Sequence, residues 1–173
     1  SSALILALKV MNFPKGSEII TPCLNFGTAI SAIILSNLKP VFVDCEIETL
    51  QIDPNKIEGK ISKKTKALLI PNLIGNIPDW KKIKSIASKH NLKIIEDSAD
   101  TLGAKINSKA TGLYSDISIT SFYGSHVISC AGNGGILVTN NKDYFSKAKV
   151  LRSWGRMSSL IKDSENINKR LGI

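Results

Sequence analysis

A continuous apolar run in the middle of the chain constrains the fold most. Lys66 to Pro71 reads KALLIP, without the alternation of apolar and polar residues that marks a strand with one exposed face. Such a run is typical of a strand that is buried on both faces. The rest of the chain must therefore supply covering layers on both sides of the sheet to which this strand belongs.

The segments around this run alternate between predicted strands and predicted helices. Further strands are predicted at Glu18–Pro22, Pro40–Asp44, Leu92–Asp97, Ile117–Phe122 and Ile136–Thr139. Helices are predicted at Ser1–Met11, Gly27–Asn37, Asp53–Ile61, Asp79–His90 and Lys142–Trp154. This alternation predicts an α/β fold with a mostly parallel sheet and helices on both faces.

Ligands of such sheets bind beyond the carboxyl ends of the strands. The residues expected to converge there are Phe26, Asn72, Asp97 and Ser121–His126. The serines that begin the first helix offer free backbone N–H groups, which suit a phosphate and are assisted by the helix dipole. Serine is common at helix starts, so this signal is weak by itself.

A polar loop with a single ionisable residue separates the last two predicted strands. Tyr123–Ser125 form a turn of mostly small residues, His126 follows, and Gly132–Gly135 close the loop. A reactive side chain on a loop between rigid elements is a common arrangement for a functional site. The spacing alone slightly favours an ordinary loop histidine beside a glycine turn.

Composition excludes several classes of function. A chain of 173 residues, with 43% hydrophobic and 21% charged residues, fits one soluble domain with a substantial core. It contains no apolar run of membrane-spanning length and no signal peptide, so no membrane partner is expected. The net charge of +9 comes mostly from scattered lysines, and only 6% of residues are aromatic. We therefore expect no nucleic-acid partner and interpret the charge as a solvated surface that helps to attract an anionic substrate.

The cysteines indicate the compartment. Cys23, Cys45 and Cys130 are far apart in sequence and form no CxxC motif. This pattern favours reduced thiols in a cytoplasmic protein over a disulfide scaffold or a zinc site.

Five motifs carry a family resemblance. EIITPCLNFGTAISAI, FVDCEIETLQID, IIEDSADTLGA, GLYSDISITSFYGSHVISCAGNGGILVTNN and LRSWGR resemble the DegT-type sugar aminotransferases, a pyridoxal-phosphate group with the aspartate-aminotransferase fold (fold type I). The resemblance implies that residues 1–156 are a cofactor-binding large domain that is incomplete at its N-terminus. Residues 157–173 would begin the connection to a C-terminal small domain that the chain lacks. The resemblance also implies a homodimer.

The resemblance assigns a cofactor role to several residues. Asp97 would pair with the pyridinium nitrogen and keep the ring an electron sink, and Phe26 would stack on the ring. Asp100 stands near the ring oxygen, where the family often has Gln or His. The phosphate would be held by Ser1, Ser2, Ala3 and Ser121. The structural alternatives are a strand-end carboxylate that caps a helix for Asp97 and an ordinary core residue for Phe26.

His126 departs from the aminotransferase pattern. In the aminotransferases this position is the lysine that forms a Schiff base with the cofactor, a bond that imidazole cannot make. Lys109 and Lys142 are too distant in sequence to replace it. A histidine here is similar to the branch of nucleotide-linked 4-keto-6-deoxyhexose 3-dehydratases. These enzymes hold pyridoxamine phosphate (PMP) without a covalent bond, and the histidine removes a proton from the cofactor before the C3 hydroxyl leaves. Histidine suits this role because it exchanges protons near neutral pH.

One group of enzymes in that branch uses an iron–sulfur cluster. The positions that match its cysteine ligands are Ala99, Met157 and Ser159, none of which supplies a thiolate, and Cys130 is elsewhere. We therefore expect no metal. The resemblance favours the cluster-free style, which regenerates PMP from pyridoxal phosphate (PLP) with glutamate.

The sequence predicts a PLP/PMP-dependent 3-dehydratase of a nucleotide-linked 4-keto-6-deoxyhexose, in the synthesis of sugars for surface polysaccharide or lipopolysaccharide. Two alternatives remain open. One is a DegT-type sugar aminotransferase that tolerates His126, and the other is a non-catalytic cofactor-binding relative. Asn133 replaces a frequent Glu of the family, and Gly124 replaces a frequent Pro.

Overall fold

The structure, a computed structural model, describes residues 1–161 and residue 168. The helices are α1 (Ser2–Met11), α2 (Gly27–Leu35), α3 (Trp80–Lys89) and α4 (Lys142–Arg152). The strands are β1 (Glu18–Pro22), β2 (Lys39–Val43), β3 (Thr65–Pro71), β4 (Lys93–Asp97), β5 (Lys105–Ile106), β6 (Lys109–Ala110), β7 (Ile117–Ser121) and β8 (Gly135–Val138).

Six strands form one sheet in the order β2-β1-β3-β4-β7-β8. Every neighbouring pair is parallel except β7 and β8, which are antiparallel. The predicted mostly parallel α/β sheet is confirmed. The antiparallel edge follows from the connection between β7 and β8, a loop without a crossover helix.

Helices cover both faces of the sheet. Leu69 of β3 packs into a cluster with α1, α2 and α4, whereas its neighbours Leu68 and Ile70 pack into a second cluster with α3. Trp80 at the start of α3 is fully buried in this second cluster. The apolar run therefore forms a strand buried on both faces, as its sequence predicts.

One local prediction was wrong, and one element was not predicted. Asp53–Ile61 is not one helix but two short 3₁₀ turns, Pro54–Lys56 and Glu58–Lys60. The Asp53 side chain still caps the first turn by accepting from the N–H of Asn55, and Ile57 anchors the segment in the core between the turns. The sequence analysis also missed the hairpin of β5 and β6, whose turn residues Asn107 and Ser108 both have positive φ.

The C-terminal part is described only in part. Met157–Leu160 form a 3₁₀ turn after α4, and most of the predicted connection at 157–173 lies outside the described residues. Within the described part of the chain, no helix has the length and apolar character needed to cross a membrane.

Candidate functional site

The site lies at the carboxyl ends of β4 and β7. Asp97 is the last residue of β4 and is paired with Pro71 of β3 on one side and Ile119 of β7 on the other. The residue is 8% exposed. Burial raises the pKa of its carboxyl group from 3.8 to about 6, although the N–H of Ala99 donates to Oδ1 at 3.1 Å and acts in the opposite direction. Asp97 is therefore a buried carboxyl group with an unusually high affinity for a proton.

Two further charged groups lie close enough to influence that carboxyl. The side chains of Asp100 and His126 both act on the pKa of Asp97, and the backbone nitrogen of Ser1 lies nearby. Nε2 of His126 lies 4.0 Å from Oδ1 of Asp100. The sheet thus brings together four of the predicted site residues, which come from three separate parts of the chain.

His126 has an incompletely satisfied imidazole. Its backbone N–H donates to the carbonyl of Tyr123 at 2.9 Å, and the Tyr123 ring meets the imidazole edge-on with 5.7 Å between centroids. Nδ1 is buried and has no hydrogen-bond partner. A buried polar atom without a partner is costly in a stable core, so this nitrogen is a candidate contact for a ligand.

Backbone hydrogen bonds of Phe122 hold the loop that carries His126. The backbone N–H of Phe122 donates to the carbonyl of Gly134 at 2.9 Å, and its carbonyl accepts from the N–H of Cys130 at 3.1 Å. A Cβ atom on Gly134 would lie 2.6 Å from Sγ of Cys130, so only glycine fits without rearrangement. This close approach explains one glycine of the predicted cluster, whereas Asn133 is simply exposed.

The start of α1 lies beside the end of β7. Ser121 pairs with Gly135, and a Cβ atom on Gly135 would lie 3.6 Å from Cβ of Ala3. The first backbone bond of α1 runs from the N–H of Ile5 to the carbonyl of Ser1, and the Ser1 side chain makes no capping bond. The N–H groups in the first turn of the helix are therefore free for an anion.

Phe26 lies at the surface. It precedes α2 and is 71% exposed, which rules out the alternative that it is an ordinary core residue. The carboxylate of Asp100 accepts from the N–H of Ile74 at 3.3 Å and thereby joins the loops that follow β3 and β4. The cofactor and catalytic roles of these residues, and of Ser1, Ser2, Ala3, Ser121, Asp97 and His126, stay predictions.

Sequence reasoning missed Glu96. Its side chain is fully buried on the sheet face opposite to Asp97, where it accepts hydrogen bonds from Asn72, Ser98 and Thr111. The available signal was a charged residue inside a strand whose other residues are buried. Its three partners are up to 39 residues apart in sequence, so no local spacing connects them.

Metal ligands do not gather in the described residues. Within residues 1–161 and residue 168, no group of three or more His, Cys, Asp or Glu side chains could hold a metal ion. Cys23, Cys45 and Cys130 are all free thiols.

Comparison with known proteins gives a family match over nearly the whole chain. The profile of the DegT/DnrJ/EryC1/StrS aminotransferase family matches residues 1–172. The chain is 37% identical over 153 residues to a GDP-perosamine synthase of Escherichia coli O157:H7, covering 88% of this chain and 42% of that protein. It is 34% identical over 164 residues to a dTDP-4-dehydro-2,6-dideoxy-D-glucose 3-dehydratase of Saccharopolyspora spinosa, covering 90% of this chain and 35% of that protein.

Solved structures share the fold. A GDP-4-keto-6-deoxymannose-3-dehydratase with a trapped PLP-glutamate geminal diamine superposes with a TM-score of 0.86 at 28% identity, covering 93% of this chain and 43% of that one. The fold is therefore that of the fold type I aminotransferases. The chain spans less than half the length of the relatives that it matches.

Proposed function

Because this chain belongs to the DegT/DnrJ/EryC1/StrS aminotransferase family, we propose that it is the cofactor-binding large domain of a PLP/PMP-dependent enzyme that removes the C3 hydroxyl of a nucleotide-linked 4-keto-6-deoxyhexose. Residues 157–173 would lead from it to a small domain. The chain's relatives include both aminotransferases and 3-dehydratases. The choice between these two reactions depends on the site.

The observation that carries the proposal is the imidazole of His126. By resemblance it occupies the position of the lysine that aminotransferases require. In the structure it lies beside Asp100 and near Asp97. Lys109 lies in the hairpin strand β6 and Lys142 begins α4, so neither is on the loop that carries His126. An imidazole at the position where the aminotransferases have a lysine favours proton removal over Schiff-base exchange.

The residues present fit pyridoxamine phosphate. Asp97 is a buried carboxyl group that a protonated ring nitrogen would stabilise in its ionised form. The exposed ring of Phe26 is available for stacking, and the first turn of α1 together with the Ser121 hydroxyl can take the phosphate. Nδ1 of His126 has no other partner.

When bound, PMP supplies an amine that condenses with the sugar ketone and a ring that withdraws electrons. The chain's own residues would do the rest. Asp97 would hold the proton on the ring nitrogen, and the imidazole of His126 would take up the proton that must be removed before the C3 hydroxyl can leave. The carboxylate of Asp100, 4.0 Å from Nε2, would stabilise the imidazolium ion. The loop on Phe122 would keep the imidazole in place.

The proposal extends to the setting of the enzyme. We place it in the cytoplasm, as a homodimer, in the synthesis of sugars for surface polysaccharide or lipopolysaccharide. It needs no iron–sulfur cluster, because Ala99, Met157 and Ser159 cannot supply thiolates, and glutamate would regenerate PMP. The net charge of +9 suits an anionic nucleotide sugar.

The second candidate is sugar aminotransfer. It is favoured by the 37% identity to a GDP-perosamine synthase, which is higher than the 34% and 28% identities to the dehydratases reported above. A non-catalytic cofactor-binding protein is the third possibility.

Mass spectrometry separates these candidates. The full gene product is incubated with a 4-keto-6-deoxy nucleotide sugar, PLP and glutamate, beside the variants His126→Asn and Ser125→Ala. Ser125 is an exposed neighbour and serves as the matched control. We expect loss of the C3 oxygen with the wild type and with Ser125→Ala, but not with His126→Asn. An amino group in place of the keto oxygen would refute the dehydratase and establish aminotransfer. An unchanged sugar with bound cofactor would favour the non-catalytic relative.

A further inference from the structure

Glu96 and Asp97 are adjacent carboxylates that point to opposite faces of the sheet. Asp97 faces the proposed cofactor site, whereas Glu96 is completely buried on the side of α3. We infer that Glu96 is a positioning residue, which acts through Asn72 and Ser98 to hold the loop that places Asp97 and Asp100. This inference rests on the proposed function of the same site.

Three donors converge on one oxygen of Glu96. Oε1 accepts from Nδ2 of Asn72 at 2.8 Å, from the hydroxyl of Ser98 at 2.8 Å and from the hydroxyl of Thr111 at 2.5 Å. Oε2 accepts more weakly from the hydroxyl of Ser115 at 3.3 Å. These donors come from the segments that follow β3 and β4 and that precede β7. Glu96 thus ties together the three segments around the site.

The direction of the bonds from Asn72 and Ser98 is fixed. The indole N–H of Trp80 can only donate, and it donates to Oδ1 of Asn72 at 2.8 Å, so the amide of Asn72 must present its NH₂ to Glu96. The same NH₂ also donates to Oγ of Ser98 at 2.9 Å, which leaves the Ser98 hydroxyl to donate to Glu96. Oε1 therefore accepts from both Asn72 and Ser98.

The network reaches the site through both ends of the loop 98–101. At its start, the hydroxyl of Ser98 binds Glu96. At its end, the hydroxyl of Thr101 donates to the carbonyl of Asn72 at 2.9 Å. Between these ties, the N–H of Ala99 donates to the Asp97 carboxyl, and Asp100 lies next to His126. A change at Glu96 would thus reach both carboxylates through this network, without a hydrogen bond between the side chain of Glu96 and either of them.

Glu96 has no cationic partner to lose. Among the described residues, none of the ion pairs within 4.0 Å includes it. Glu96→Gln therefore leaves no buried cation without its counter-ion. It does replace one acceptor oxygen by an NH₂ donor in a pocket already filled with donors.

Ser98 and Thr111 provide a matched comparison, because each gives one hydroxyl bond to Oε1 but only Ser98 belongs to the loop 98–101. We would prepare Glu96→Gln, Ser98→Ala and Thr111→Val in the full gene product. The expected result is a loss of kcat of about tenfold or more in the first two, since small displacements of catalytic groups are costly. The kcat of Thr111→Val should stay within about twofold of wild type, even if its melting temperature falls as far as those of the other two variants.

Two readouts besides activity accompany kcat. The absorbance spectrum of bound PLP should shift in Glu96→Gln and Ser98→Ala but not in Thr111→Val. In the cofactor-free protein, hydrogen exchange at the Ala99 N–H should be faster in the first two variants only. If the three variants do not differ in kcat, in the absorbance spectrum of bound PLP or in hydrogen exchange at the Ala99 N–H, the inference is overturned while the proposed function stands. A wild-type protein that binds no PLP would overturn both.

Discussion

The raised pKa of Asp97 predicts that the cofactor-free protein becomes more stable when this carboxyl is removed. The group holds its proton up to about pH 6 in the folded protein but releases it near its ordinary value of 3.8 when unfolded. Between these values the unfolded state has already lost a proton that the folded state still binds. Stability is therefore greatest below pH 3.8 with respect to this group, and it falls as the pH rises through about 6.

The size of this effect follows from the two pKa values. A tenfold change in proton affinity corresponds to about 1.4 kcal/mol, so ionised Asp97 lowers the free energy of unfolding by about 3 kcal/mol above pH 6. Asp97→Asn keeps an oxygen that can accept from the N–H of Ala99 but carries no charge. The difference in free energy of unfolding between Asp97→Asn and wild type should therefore increase by about 2 kcal/mol between about pH 4.5 and about pH 8.

Urea unfolding of the cofactor-free protein at these two pH values measures the difference. Asp143→Asn, which removes an exposed carboxylate from the first turn of α4, corrects for the loss of one negative charge. A stability gap between Asp97→Asn and wild type that does not grow with pH would refute the reasoning. Asp97→Asn should also weaken PMP binding, because the ring nitrogen loses its carboxylate, and fluorescence titration would detect this loss.

Three further predictions concern the loop and the buried network. His126→Lys should lose deoxygenation and gain a PLP adduct that borohydride reduction fixes for mass spectrometry; an unmodified protein would contradict the assigned position. Gly134→Ala should lower the free energy of unfolding by about 1–3 kcal/mol and weaken PLP binding, and adding Cys130→Ala should restore part of both, because Sγ of Cys130 is the nearest obstacle. Trp80→Phe should lower the free energy of unfolding in urea by about 2 kcal/mol, because the buried side-chain oxygen Oδ1 of Asn72 loses its donor. An unchanged stability would argue against the network.

Most of the sheet could be predicted from the sequence because its strands are apolar runs bounded by polar residues. The run at Thr65–Pro71 and the strand that ends at Asp97 were recognised to within a residue. The parallel order followed from the helices between them. The prediction of one helix after Asp53 was wrong because a proline and a capping side chain indicate where a helix begins but not how far it continues.

The site was predictable only where it follows strand ends or matches family motifs. Asp97 and His126 could be singled out in this way. The bond from Ile74 to Asp100 and the bonds from Asn72 and Thr111 to Glu96 could not, because each joins residues that are distant in sequence and depends on side-chain geometry. The unpartnered Nδ1 of His126 is likewise a property of the packed loop.

The two carboxylates of β4 also bear on how the sheet assembles. Ile94 and Ile95 are identical and equally buried, one on each face, so apolar burial alone cannot distinguish the native pairing of β4 from one shifted by a single residue. A shifted strand would place Glu96 on the face of Asp97 and leave the donors of Asn72 and Ser98 without their acceptor. We therefore expect Glu96 and Asp97 to help specify the register of β4, and loss of either carboxylate to slow folding.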